Sequence, residues 1–285
     1  MRFGLALSGG ALRGVAHIGV LKALSENGLY PSYISGTSAG SMVAALYACG
    51  YSAVEMEKIA LNLDNGIYDP DYPGMLRGIV QWILHRDFDW DGFLKGNEVE
   101  KLMKRLTNGI SVKEVRMPLA ITAVDINAGN TVMFVSRKRG LADTRHVIFK
   151  DDVPLYKAVR ASTAIPSVFQ PVIIDGMRLV DGGVTENVPS GVLRMMGARV
   201  VIGINLGYSG QRRSEVNNIL EIGSQAIDIM AYQITRLKAN TCDLMINPDI
   251  YDIGMTDFHR VAECIQRGYE SIISNLPAIK KLIRS

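Results

Sequence analysis

Gly36-Thr37-Ser38-Ala39-Gly40 has the spacing Gly-x-Ser-x-Gly, which thrusts a serine oxygen out of a sharp turn between a strand and a helix. Such a serine attacks an ester carbonyl and holds the acyl group as a covalent intermediate. Gly36 and Gly40 are required on its flanks because the turn is strained and neighbouring backbones approach closely. A helix N-cap by Ser38 or Thr37 accounts for one hydroxyl residue but not for two glycines. A second run, Ser8-Gly9-Gly10-Ala11-Leu12-Arg13-Gly14, opens a helix after the first strand. There several backbone N–H groups and the positive end of a helix dipole can point at one anion, as an oxyanion hole does. A Walker A reading fails because Val15-Ala16 follows Gly14 in place of Lys-Ser/Thr, and a dinucleotide fingerprint fits poorly with Ala11 at its middle glycine.

The elements around these loops follow from hydrophobic period. Arg2 to Leu7 reads as a short buried strand, and Val15 to Asn27 carries apolar residues at helical spacing. Tyr33 to Ser35 repeats the strand, and a helix rich in small residues runs from the serine turn to Gly50. Helical signals continue over Ser52–Leu63 and Glu98–Leu106, while Leu119–Ile126 and Thr131–Val135 form a strand pair turning at Asn127–Asn130. Val172–Asp175 and Arg178–Val180 flank Gly176-Met177 as a hairpin, which makes Asp175 a turn residue. A helix over Pro189–Met196, an apolar strand over Val200–Leu206, helices over Glu215–Asn240 and Asp257–Ser274, and a short strand at Leu244–Ile246 complete the chain. Apolar strands alternating with helices predict a three-layer α/β/α arrangement with a mostly parallel central sheet.

The chain has 285 residues, 48% hydrophobic and 21% charged, with no linker-like stretch, so one domain over residues 1–285 is expected. A net charge of +3 with dispersed basic residues argues against nucleic acid as a partner. Arg137, Lys138, Arg139, Arg145, Lys150, Arg212, Arg213, Lys280, Lys281 and Arg284 read mostly as solvated charges, with an anionic membrane surface as the alternative. The amino terminus lacks a signal-peptide run and no apolar stretch reaches membrane-spanning length, so a cytoplasmic location with at most peripheral membrane contact is expected. Cys49, Cys242 and Cys264 are odd in number and widely spaced, which fits reduced, buried thiols. No cluster has metal-ligand spacing, and neither a metal nor a cofactor is implied. Residues 71–96 hold both tryptophans, Trp82 and Trp90, among Met75, Leu76, Ile79, Val80, Ile83, Leu84, Phe88 and Phe93. They read either as an amphipathic helix packed on the core or as a lid and acyl-chain access surface.

Two further blocks accompany the glycine loop and the serine turn. Ala161-Ser162-Thr163-Ala164-Ile165-Pro166 continues to Phe169 and Pro171, and Asp181-Gly182-Gly183 is followed by Asn187 and Pro189. Four blocks in this order, from Ser8 to Pro189, resemble the patatin-like phospholipase family of bacterial type. The resemblance implies that fold, a lipid ester as substrate and a Ser–Asp dyad. Ser38 is then the nucleophile, Asp181 its partner, and the backbone of Gly9, Gly10 and Ala11 the oxyanion hole. The family usually has glycine where Ala11 stands, and a positive φ there costs alanine about 1–2 kcal/mol.

None of the four histidines, His17, His85, His146 and His259, lies in a motif resembling the last member of a Ser-Asp-His triad. His17, one turn after the glycine loop, is expected to cap or pack. An aspartate used as base needs desolvation or a tight hydrogen bond to the serine. The expectation is therefore a serine hydrolase cleaving fatty acyl esters of phospholipids or lysophospholipids. Alternatives are a thioesterase or neutral-lipid lipase with the same dyad, and a non-catalytic lipid-binding module prompted by Ala11.

Overall fold

The computed structural model describes residues 2–84, 91–208, 210, 219–254 and 256–284. β1 (Phe3–Leu7) leads through a 3-10 turn at Ala11–Val15 into α1 (Ala16–Glu26), and β2 (Tyr33–Thr37) leads through Ser38 into α2 (Ala39–Ala48). α3 (Ala53–Leu61), α4 (Tyr72–Ile83) and α5 (Asn97–Leu106) precede β3 (Leu119–Asp125) and β4 (Asn130–Val135). Then come β5 (Val147–Lys150), α6 (Leu155–Ser162), β6 (Val172–Ile174), β7 (Met177–Asp181) and α7 (Ser190–Met195). β8 (Val200–Ile204), α8 (Ile219–Leu237), β9 (Leu244–Ile246) and α9 (Val261–Arg284) follow.

Among the described residues the nine strands form one mostly parallel sheet flanked by helices, in the order β5-β4-β3-β2-β1-β8-β9, with β7 on β3 and β6 on β7. Alternation along the strands sends large side chains one way and small ones the other. Phe3, Leu5 and Leu7 of β1 join the larger core cluster together with residues of α1, α2 and α9, whereas Ala6 joins the smaller cluster with Val192 and Leu193 of α7. α1 and α9 touch at their backbones: a Cβ on Gly19 would fall 1.8 Å from the Ile265 carbonyl oxygen, and one on Gly268 would fall 2.1 Å from that of Ala16.

The pairing along β3 matters most for function. β4 lies antiparallel along one edge, from Ala120↔Val135 to Asp125↔Asn130. On the other edge β2 pairs only as far as Thr37↔Thr122, and β7 takes over at Ala123↔Asp181. Thr37, the residue before Ser38, and Asp181, the last residue of β7, thus pair with consecutive positions of one template strand.

The expected strand pairs and the Asp175 hairpin turn are present, with Asp175 at φ 51°. α9 runs ten residues past the expected end at Ser274 and carries Pro277 inside it. Ile279 and Ile283 are buried beyond the proline, so packing sustains a helix that the residue type disfavours. β5 and α6 have no counterpart in the sequence reading. Residues 215–218 of the expected 215–240 helix lie outside the described residues, as do Phe88 and Trp90 of the 71–96 segment.

Candidate active site

Ser38 sits at the N-cap of α2 with φ 53° and ψ −128°, a conformation that side-chain-bearing residues rarely adopt. Close backbone approach explains its glycines. A Cβ on Gly36 would lie 2.3 Å from the Gly40 carbonyl oxygen, and one on Gly40 would lie 2.5 Å from the carbonyl oxygens of Leu7 and Ser8. The strained turn is held by polar contacts on both sides. The Ser38 N–H donates to Ser162 Oγ at 2.9 Å, and Ser41 Oγ donates to the Ser38 carbonyl at 2.6 Å. Ser162, the last residue of α6, thereby gains a role that the sequence marked only through its Ala-Ser block.

Asp181 reaches the same place from β7. Its N–H donates to the Ala164 carbonyl at 2.8 Å, and its Oδ1 accepts from the Gly183 N–H at 2.8 Å. Oδ2 is buried and makes no hydrogen bond of good geometry, and the Ser38 hydroxyl is the neighbouring side chain that favours its ionised form. Burial pushes the carboxyl up to about 6, against the opposing pull of the Ser38 hydroxyl and the Gly183 N–H, and the charge of Asp228 adds to the rise.

The glycine loop lies across from both residues. Ser8 Oγ accepts from the Leu206 N–H at 2.8 Å, and the His17 Nε2–H donates to the Ser8 carbonyl at 2.9 Å, which fixes the base of the loop. Burial holds the His17 imidazole down at about 4, the Ser8 carbonyl opposing that shift, so this histidine is a neutral anchor beneath the loop. His146 and His259 are exposed, and His85 lies outside the described residues. The Gly9 N–H donates to Asn187 Oδ1 at 3.1 Å. Of the three N–H groups expected to face an anion, this one is already engaged. Ala11 stands at the head of the 3-10 turn with φ 50°, the left-handed conformation that glycine adopts without cost. Arg13, almost fully buried, returns to the loop through Nε to the Gly10 carbonyl at 3.4 Å and meets Asp228 of α8 at 3.6 Å.

Two cavities meet at Ser38. The first, about 140 Å³, is an apolar chamber between the helices, with Ala11, Met42, Leu46, Met103, Phe169 and Phe258 in its wall. The second, about 80 Å³, is polar and is bounded by Gly9, Gly10, Arg13, Asp181, Asn187 and Asp228. Ala11, Ser38 and Ile165 belong to both. Among the described residues no helix is long and apolar enough to cross a membrane, and no group of three His, Cys, Asp or Glu side chains is placed to hold a metal ion.

A strand–elbow–helix serine, a buried aspartate beside it and a glycine loop opposite define a class of α/β proteins, and comparison with known proteins gives the family. The model of the patatin-like phospholipase family matches residues 5–194, and the chain belongs to that family. A Bacillus subtilis relative, the uncharacterized protein YqhO, is 27% identical over 88% of this chain and 89% of its own length. Human patatin-like phospholipase domain-containing protein 6 is 29% identical over 71% of this chain, which spans only 13% of that relative. Among solved structures, VipD from Legionella pneumophila superposes with a TM-score of 0.53 at 15% identity, covering 97% of this chain and 67% of VipD. That likeness is one of fold.

Proposed function

We propose that this protein is a serine acyl hydrolase that cleaves fatty acyl esters of phospholipids or lysophospholipids through a Ser38–Asp181 dyad. The observation that carries the reading is the pairing of β3, which sets Thr37, the residue before the strained Ser38, and the buried Asp181 at consecutive positions, with Ser38 lining both cavities and Asp181 the polar one.

The acyl chain occupies the apolar chamber and the alcohol portion the polar pocket. Ser38 Oγ attacks the ester carbonyl as its proton passes to Asp181, whose value near 6 leaves it ionised at neutral pH and basic enough to accept. The Gly10 and Ala11 N–H groups hold the oxyanion, and Gly9 joins them only when its bond to Asn187 opens. Collapse of the tetrahedral intermediate breaks the ester C–O bond, and the leaving alcohol takes the proton from Asp181. Water then attacks the acyl-serine, gives its proton to Asp181, and the acid departs as that proton returns to Ser38. One sheet linking β1 to β9 supports a single domain over the chain.

The test is intact mass after exposure to a fluorophosphonate, followed by a panel of phospholipid, triacylglycerol and acyl-CoA. One adduct on the parent and none on Ser38→Ala, with fatty acid released from phospholipid, is the expected result. Release confined to triacylglycerol or acyl-CoA moves the substrate class, and a folded parent with no adduct and no release on any substrate removes the hydrolase reading.

A further inference from the structure

α4 and α8 each turn a row of apolar side chains to solvent. On α4 the row is Tyr72, Leu76 and Val80, with Leu84 just past its end, and Tyr72 is 70% and Leu76 65% exposed. A spacing of four puts them on one helix face. On α8 the row is Ile222, Ala226, Ile229, Met230 and Leu237, with Met230 57% and Leu237 83% exposed. Single exposed leucines need no explanation, whereas two aligned rows do. α8 also turns Ile227 and Ala231 inward onto the polar pocket, so its outer row is not the polar side of an ordinary amphipathic helix.

α4 is tied to the wall of the apolar chamber, and α8 to that of the polar pocket. Tyr68, four residues before α4, packs its ring 6.4 Å from Phe169 and 5.8 Å from Phe258, and all three line the chamber. Asp71, immediately before α4, accepts from Gln170 Nε2 at 2.8 Å, which stitches the start of the helix to the same wall. α8 covers the polar pocket. An ester at Ser38 joins an acyl chain on one side to an alcohol portion on the other, so a lipid engaged from a bilayer brings that bilayer toward both helices.

Charge selects the occupant. Arg77 is the only charged residue of α4, and among the described side chains the outer row of α8 has no charge until exposed Arg236 at its end. Asp228 is turned inward onto Arg13. Apolar rows edged by cations complement anionic head groups, while a second copy of the chain would bring like charges together. We propose that the outer faces of α4 and α8 are the surface on which this protein seats on an anionic phospholipid bilayer; the choice of a lipid partner rests on the acyl-hydrolase reading.

The test uses the full chain as Ser38→Ala, so that binding is read without hydrolysis. The protein is sedimented with phosphatidylcholine vesicles with and without phosphatidylglycerol. It is expected to partition onto the anionic vesicles. The doubles Leu76→Asp/Val80→Asp and Ile229→Asp/Met230→Asp should each lower that partitioning at least about tenfold, with unchanged circular dichroism. In the Ser38 background the same doubles should hydrolyse a soluble short-chain ester at the parental rate. A parent that stays in solution, or folded doubles that partition like it, overturns the proposal. So does a parent dimer seen by light scattering that the doubles dissolve, since a second copy then covers the rows. Vesicle binding without any ester hydrolysis leaves this surface standing and removes the hydrolase reading instead.

Discussion

The two cavities that share Ser38 are built by different rules. The apolar chamber is walled by side chains of α2, α3 and α5 and by Tyr68, Phe169 and Phe258 from the loops, three of its lining residues being methionines. Contacts of that kind are non-directional and methionine adapts its shape, so the wall tolerates exchange of one apolar residue for another of similar volume. The polar pocket is walled by turns at strand ends, each fixed by directed hydrogen bonds: Gly9 to Asn187, Gly183 to Asp181, Ser38 to Ser162. There a shift of one partner leaves a buried donor or acceptor unmatched, at about 1–3 kcal/mol each. Under the proposed hydrolase reading, the chamber sets which substrates are taken and the pocket sets whether any reaction occurs.

Substitutions on the pocket side should have the largest effects. Asp181→Asn is expected to lower ester hydrolysis on the order of 10³-fold or more for every acyl length, measured with a chain-length series of esters. The same variant should be more stable than the parent at neutral pH. A carboxyl raised to about 6 by burial favours folding while protonated; that contribution is complete below its unfolded value and is lost as pH rises through about 6. Removing the charge should return on the order of 2 kcal/mol above that pH, read as a higher Tm. An Asp181→Asn protein that keeps its rate would end the dyad.

On the chamber side the response should depend on chain length. Leu102→Trp fills space in the half-buried wall and should reduce kcat/KM for long-chain esters about 10- to 100-fold while sparing a butyrate ester. Equal losses on both would mean that the chamber does not hold the acyl chain. Ala11 borders both cavities, and Ala11→Gly tests the strain at φ 50°: a gain of about 1 kcal/mol in stability is expected, seen in a denaturant titration, with the rate kept or raised. The smallest effect concerns pH. The rate should rise through about pH 6 as Asp181 ionises, and Asp228→Asn should move that midpoint downward, because the Asp228 charge helps to hold it up. A midpoint unmoved in a pH–rate profile would remove Asp228 from the electrostatics of the pocket.

Much of this arrangement was legible before any coordinates. Ser38 could be singled out because close backbone approach demands Gly36 and Gly40, and glycine leaves a mark in a sequence. The strain at Ala11 was foreseeable on the condition of a positive φ, and that condition is met. Asn187 and Ser162 were visible as members of motif blocks, yet their tasks were not, because a hydrogen bond spanning 178 residues, such as that from Gly9 to Asn187, has no local signature. Helical spacing marks Glu215–Asn240 as a helix and leaves open what its apolar residues face. In α8, over the described residues, one apolar side lines the polar pocket and the other faces solvent, since helical period reports amphipathicity and not what covers a face.

The sequence by itself determined the alternation of strands and helices, the glycine-flanked serine turn and the glycine loop, because each depends on residues within a few positions of one another. Only the tertiary structure decided that Asp181 meets Ser38. That meeting requires β2 and β7, running in opposite directions, to end on β3 at Thr122 and Ala123, a register set by sheet packing across segments 144 residues apart at Thr37–Asp181. Long-range strand pairing is chosen by burial of the whole sheet, and no short stretch of chain encodes it.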